Sequence, residues 1–226
     1  MKHNLFIITS CINPVASAID VERRFQQTLL TIGSIRRRAP DSIILLSESS
    51  PNKISYEKFQ VLNEKVDFFL MLSDIDSIKY FGSRYLKSSA EANNLYLALG
   101  YIRKLDLPLK RIFKVTGRGI LNEHFEISHY EKSNLKGKYV FAKRQKSHLA
   151  KDLRILNTRC WSFCYTLLDE IEQNLIQIGK DCETKVRQGY NMEHAIYDII
   201  DKDKLVEKKV VGFTCQISQD GAFRHD

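Results

Sequence analysis

An arginine set between glycines, Thr116-Gly117-Arg118-Gly119, directly follows the apolar run Phe113–Val115 of this 226-residue chain. A guanidinium is a rigid fork that holds two phosphate oxygens at once. Glycines on both sides let the backbone turn sharply and bring that fork close to a ligand. A glycine-rich turn with a solvent-facing arginine has the same composition, so the stretch alone leaves both readings open. Asp74-Ile75-Asp76 is a second candidate. Two carboxylates at that spacing suit Mg²⁺ or Mn²⁺, and they equally suit a turn or a helix cap. Glu193, with His194 beside it, has the chemistry of a general base, although a glutamate opening a helix is also favoured by the helix dipole. His124 and His129, near Glu123 and Glu126, match no strong ligand spacing. The five cysteines (11, 160, 164, 182 and 215) form no disulfide framework and read as reduced thiols, with Cys160-x3-Cys164 on an expected helix.

The elements that must carry these residues alternate. Asn4–Thr9 is a continuous apolar strand of the kind buried on both faces. A helix follows, expected to begin at Ser17 with Asp20 in the capping-box position. Its stripe is Ala18, Val21, Phe25, Leu29, Ile32 and Ile35, with Pro40 as the stop. Ser42–Glu48 is a second strand, Tyr56–Asn63 a short helix, and Val66–Leu72 a third strand. A helix capped by Ser88 and Glu91 runs to Lys104, and Arg111–Val115 is the fourth strand. Strands alternating with helices imply parallel crossovers. Further on, Lys138–Lys143 and Leu153–Leu156 read as strands and Ser162–Ile178 as a long helix. Asn191 caps a helix to Ile200, and Val210–Thr214 is a last strand. The expected fold is α/β: a single domain, residues 1–226, with a mixed, mostly parallel sheet flanked by helices. Later strands join antiparallel.

Open α/β sheets bind ligands at the carboxyl ends of their strands. Here those ends offer Thr9-Ser10-Cys11, Ser47-Glu48-Ser49, Ser73-Asp74 and Thr116-Gly117-Arg118, a polar lining with an arginine. No GxGxxG or GxxxxGK[ST] loop follows the first strand, which argues against a dinucleotide-binding domain and a P-loop NTPase. The formal charge of +8 favours an anionic partner. The cations are scattered, so no specific nucleic acid is expected, and peripheral contact with an anionic membrane stays open. No apolar run approaches the roughly 20 residues that span a bilayer. The start of the chain is too short in apolar residues for a secretion signal, and with reduced thiols this makes a cytoplasmic protein the expectation.

The stretches FIITSCINP, RRFQQTLLTIGSIRRRAPDSIILLSE, KSSAEANNLYLAL and RIFKVTGRGILNEHF, with the later NTRCWSF and MEHAIYDII, resemble a group of bacterial and phage glycosyltransferases with the GT-A (nucleotide-diphospho-sugar transferase) fold. Similar sequences carry Lys-x-Thr-Gly-Arg-aromatic on the strand where many relatives hold a metal-binding Asp-x-Asp. Gly119 stands where that aromatic is usual. The resemblance implies a Rossmann-like GT-A domain that moves a sugar from a nucleotide donor to a glycan or lipid-linked acceptor. It implies Thr9, Ser10 and Glu48 at the base, Lys87, Ser88, Glu91 and Asn94 near the phosphates, and Thr116, Gly117 and Arg118 at the Asp-x-Asp position, with Lys114 assisting. Glu193 would be the base of an inverting displacement. Residues 1–120 would hold the donor and 121–226 shape the acceptor side.

Arg118 then stands in for a metal ion, neutralising the leaving diphosphate. Mn²⁺ or Mg²⁺ remains the alternative, with Asp74 and Asp76 as ligands. The competing functions are a metal-dependent nucleotidyltransferase on a related fold, and a non-catalytic protein that binds nucleotide or nucleic acid.

Overall fold

The computed structural model describes residues 2–15, 19–84, 86–147, 149, 152–216 and 223–225. In chain order the elements are β1 (His3–Ser10), α1 (Val21–Arg38), β2 (Ile43–Glu48), α2 (Tyr56–Asn63), β3 (Phe68–Met71), α3 (Asp76–Ser83), α4 (Lys87–Lys104), β4 (Leu109–Thr116) and β5 (Gly119–Leu121). There follow β6 (Tyr139–Ala142), β7 (Gln145–Lys146), β8 (Arg154–Ile155), β9 (Cys160–Cys164), α5 (Leu168–Thr184), α6 (Met192–Ile199), β10 (Leu205–Lys208), β11 (Phe213–Gln216) and β12 (Phe223–His225).

Seven strands form the main sheet in the order β10-β6-β9-β4-β1-β2-β3. β1 lies parallel between β2 and β4, β3 extends the parallel half, and β9 runs antiparallel between β4 and β6. The sheet is therefore mixed, as expected. Alternation along β1 explains its unbroken apolar run. Leu5 and Ile7 enter the core under α4, α5 and α6, while Phe6 and Ile8 enter the core under α1. A strand buried on both faces has no polar side to show.

Several boundaries differ from expectation. α1 starts at Val21, with Asp20 itself as N-cap accepting from the Arg23 N–H at 2.7 Å. Ser17 and Ala18 lie outside the described residues. α4 starts at Lys87, and its N-cap Leu86 makes no side-chain cap. The expected Ser88–Glu91 box does not form, because the helix starts before Ser88 and puts both residues inside it, and Glu91 pairs with Lys114. Cys160–Cys164 is a strand and not a helix. All five residues are buried and sandwiched in the sheet, with Trp161 stacked on Phe141 at 4.8 Å. Val210–Thr214 shifts to Phe213–Gln216 and leaves the main sheet to pair with β5 and β12 in a second one. The edge place goes to β10, an element the apolar pattern did not signal.

A ladder of hydroxyls on α1 fixes the turn after β4. Thr28 donates to the Gly117 carbonyl at 3.3 Å, Thr31 to the Gly119 carbonyl at 2.6 Å, and Ser34 accepts from the Leu121 N–H at 3.0 Å. These residues sit three apart, so they share one helix face. Gly119 has no room for a side chain: a Cβ there would lie 2.2 Å from Cζ of Phe213. The aromatic missing at 119 is thus replaced in space by a fully buried ring from β11. Gly119→Ala should destabilise the fold by about 1–3 kcal/mol through overpacking, read as a lowered urea midpoint. A midpoint equal to wild type would mean Phe213 is not fixed against this strand.

Candidate active site

The register brings three strand ends level. Thr9 pairs with Ser47 on one side and Thr116 on the other, and Ser10 pairs with Glu48. The Gly117 N–H continues the ladder, donating to the Thr9 carbonyl at 2.9 Å. Parallel strands cannot close over their ends with hairpins, so a hollow remains between these ends, the first turns of α1 and the start of α4. It encloses about 200 Å³.

Most of the expected residues meet there. Thr9, Ser10, Thr116, Gly117 and Arg118 line the cavity from the strand ends, and Lys87, Glu91 and Asn94 line it from α4. Asn94 bridges the walls, accepting from Ser47 Oγ at 2.6 Å and donating to Ser49 Oγ at 2.8 Å. Gly117 is closely fitted: a Cβ would meet Thr28 Oγ1 at 3.2 Å and Ser10 Cβ at 3.3 Å. With the carbonyls of residues 117 and 119 latched to α1, the Arg118 side chain projects into the hollow. It makes no hydrogen bond or ion pair to another described residue.

Glu48 and Lys114 serve the wall from behind. Glu48 is fully buried and does not line the cavity. Its Oε1 accepts from the N–H groups of Ile12 and Ser50 and from Ser50 Oγ, while Oε2 is buried with no partner among the described residues. Lys114 is also fully buried, its ammonium held by the Glu91 carboxylate and by the Thr158 carbonyl at 2.7 Å. Both were expected to meet ligand directly. The inward face of a central strand gives them no path to it.

Four further candidate residues stand apart from the lining. Glu193 is in the first turn of α6, where its carbonyl accepts from the Leu156 N–H at 3.1 Å. That contact puts it beside the 156–159 segment, whose Arg159 carbonyl takes the Thr116 N–H at 2.8 Å. Asp74 is exposed and ion-paired with Lys53 at 2.9 Å, and Asp76 is an exposed residue in the first turn of α3. His194 is buried as the capping-box partner of Asn191, with Ser147 Oγ 2.7 Å from its Nε2. Among the described residues no group of three or more His, Cys, Asp or Glu side chains is placed to hold a metal.

Sequence reading missed Arg24. It lines the cavity from α1, and its Nη1 donates to the Cys11 carbonyl at 3.0 Å. Burial, and then the nearby charge of Arg118, hold its pKa below the usual arginine value. The only sequence signal was its place, four residues past Asp20 in a helix that begins at a strand end. Of the charged lining residues three are cations (Arg24, Lys87 and Arg118) and one is an acid, Glu91, already paired with Lys114. Such a hollow attracts an anion. The uncapped first turn of α4 adds unsatisfied N–H groups on the same side. The donor set suits a divalent cation poorly. Mg²⁺ and Mn²⁺ take hard oxygen ligands, carboxylates foremost, and the lining offers one carboxylate, already paired with Lys114, together with two guanidiniums. Burial, then Glu48, push the Cys11 thiol up to about 12, which leaves it protonated and unreactive at neutral pH.

No family model matches the chain, and no curated protein sequence matches it. Its fold is similar to that of core-mannan synthase A from Aspergillus fumigatus, solved in its Mn/GDP form. The TM-score is 0.56 at 7% identity, covering 91% of this chain and 72% of that one. The architecture is thus that of a GT-A-like α/β domain. No helix among the described residues is long and apolar enough to cross a membrane.

Two substitutions test the wall. Glu91→Gln leaves the Lys114 ammonium buried without its counter-charge and should cost about 3 kcal/mol or more. Urea unfolding checks this, and an unchanged midpoint would show that the pair does not hold the wall. Glu48 gives a pH signature. Burial raises its carboxyl above the ordinary 4.5. The folded chain then holds a proton that the unfolded chain has released. The stability it contributes is complete below about 4.5 and is lost as pH climbs through the raised value. Glu48→Gln should flatten that fall in a series of unfolding midpoints above pH 4.5; an identical slope would assign the fall to other groups.

Proposed function

We propose that this chain is a glycosyltransferase, moving a sugar from a nucleoside-diphosphate donor to the hydroxyl of a glycan or lipid-linked acceptor. The carrying observation is Arg118: a guanidinium with no hydrogen-bond or ion-pair partner among the described residues, facing a hollow at the carboxyl ends of β1 and β4. The GT-A-like architecture supports the reading, since its similar structure was solved with GDP.

In this reading residues 1–120 hold the donor, with Thr9, Ser10 and Thr116 at the strand ends and Asn94 and Lys87 on α4. Glu48 and Lys114 act by position. Glu48 fixes the loop after β1 through the Ile12 N–H, and Lys114 holds Glu91 at the cavity wall. As the bond between sugar and diphosphate breaks, negative charge grows on the leaving oxygen. Fixed cations aimed at that charge lower the barrier because they need no reorganisation. Arg118 and Lys87 supply them, so the reaction runs without a divalent ion. Residues from 121 onward shape the acceptor side. There Glu193 takes the acceptor proton, and attack from the opposite face inverts the anomeric centre.

A thermal-shift screen with UDP-, GDP- and CMP-sugars, each in EDTA and in Mn²⁺, tests the donor site. One nucleotide should stabilise the protein in EDTA; stabilisation only with Mn²⁺ would end the metal-free reading, and none at all would favour a protein of another function. Arg118→Ala should lower kcat/KM by about a hundredfold or more. Glu193→Gln should abolish turnover while donor binding stays intact. Turnover at the wild-type rate would remove Glu193 as the base and turn attention to Glu91, the carboxylate in the lining.

A further inference from the structure

Arg24 and Arg118 line one hollow from two adjoining segments of the chain. Arg24 comes from the second turn of α1 and Arg118 from the turn after β4. Each is held in place on its own wall. Arg24 is anchored through Nη1 to the Cys11 carbonyl at 3.0 Å, a neutral acceptor. Arg118 is fixed through its backbone, because Thr28 and Thr31 hold the carbonyls before and after it. No carboxylate among the described residues pairs with Arg118, and the acid in the lining, Glu91, is held by Lys114.

Two guanidiniums lining one hollow repel, and burial and then the charge of Arg118 depress the pKa of Arg24. Such an arrangement favours an anion at the hollow. One phosphate offers a fork to one arginine, whereas two linked phosphates offer a fork to each. The uncapped first turn of α4 stands at the same hollow and favours negative charge there.

We propose that Arg24 and Arg118 form a two-guanidinium clamp for two linked phosphates, so that a divalent cation competes with the protein for the ligand instead of bridging it. This rests on reading the hollow as the donor site, and it names the partner of Arg118 and the part of the donor they grip. A metal-dependent site binds diphosphate more tightly when Mn²⁺ is added. A clamp of fixed cations recognises the metal-free diphosphate, and Mn²⁺ withdraws that anion into its own complex. The sign of the metal effect therefore separates the two designs.

The experiment is calorimetric titration of the full chain with inorganic pyrophosphate, inorganic phosphate, UDP and GDP, in EDTA and then in excess Mn²⁺. Pyrophosphate should bind in EDTA at least tenfold more tightly than phosphate, and Mn²⁺ should weaken it. Arg24→Ala and Arg118→Ala should each weaken pyrophosphate at least tenfold. Arg24→Lys, which keeps the charge and loses the fork, should fall between wild type and Arg24→Ala. Thermal unfolding without ligand shows whether each variant is folded. Wild-type pyrophosphate affinity in folded Arg24→Ala, or tighter binding in Mn²⁺, would overturn the clamp. If a nucleoside diphosphate binds normally to Arg24→Ala, the clamp falls and the donor site stands. If pyrophosphate binds through both arginines but neither UDP nor GDP binds more tightly than pyrophosphate, the clamp stands and the nucleotide reading falls.

Discussion

A buried ammonium in the centre of the sheet is the contact on which the site depends. Lys114 occupies an inward position of β4 where the strand could have placed another aliphatic residue. It is fully enclosed, so its charge must be met inside the protein. Glu91 meets it from α4 and the Thr158 carbonyl from the segment before β9. Three chain segments far apart in sequence are thereby held at one point. The same contact sets which way α4 presents its first turn to the cavity. α4 itself opens without a side-chain cap because its N-cap residue, Leu86, carries no acceptor.

Electrostatics around that point are uneven by construction. Acids near the cavity are either enclosed, as Glu48 is, or already matched, as Glu91 is. The Arg118 guanidinium at the same surface faces open space. Placed at the end of β4, it gives the hollow a positive charge held on a fixed backbone. The hydroxyls of Thr28, Thr31 and Ser34 make that fixing possible. They satisfy the backbone of the 117–121 turn and leave the arginine side chain to the hollow.

Gly119 shows how two distant positions share one task. An aromatic at 119 and a ring at 213 cannot both occupy that space, since even a Cβ at 119 would come within 2.2 Å of the ring. This chain has glycine on β5 and phenylalanine on β11, which stitches the end of the chain back against the turn that carries Arg118. The second sheet, β12-β11-β5, is thus a support for the cavity rim.

Local pattern was enough for the first half of the chain. The apolar runs of β1 and β2, the stripe of Phe25, Ile32 and Ile35, and the polar strand ends specified a parallel α/β sheet and put Thr9, Ser10, Thr116 and Arg118 at its rim. Those features are short-range, and burial on both faces leaves a plain mark on composition. Cys160–Cys164 was misread because five buried residues in a row fit a helix as well as a strand, and only insertion between β4 and β6 decides. Arg24 and the inward turn of Glu48 and Lys114 were likewise invisible. Whether a charged side chain points into a cavity or into the core depends on which segments pack around it, and that is settled by contacts between residues tens of positions apart. The sequence by itself determined the sheet and the chemical types at its edge; only the tertiary structure decided which of those charges are enclosed or matched and which face the hollow, because charge matching is a property of neighbours in space.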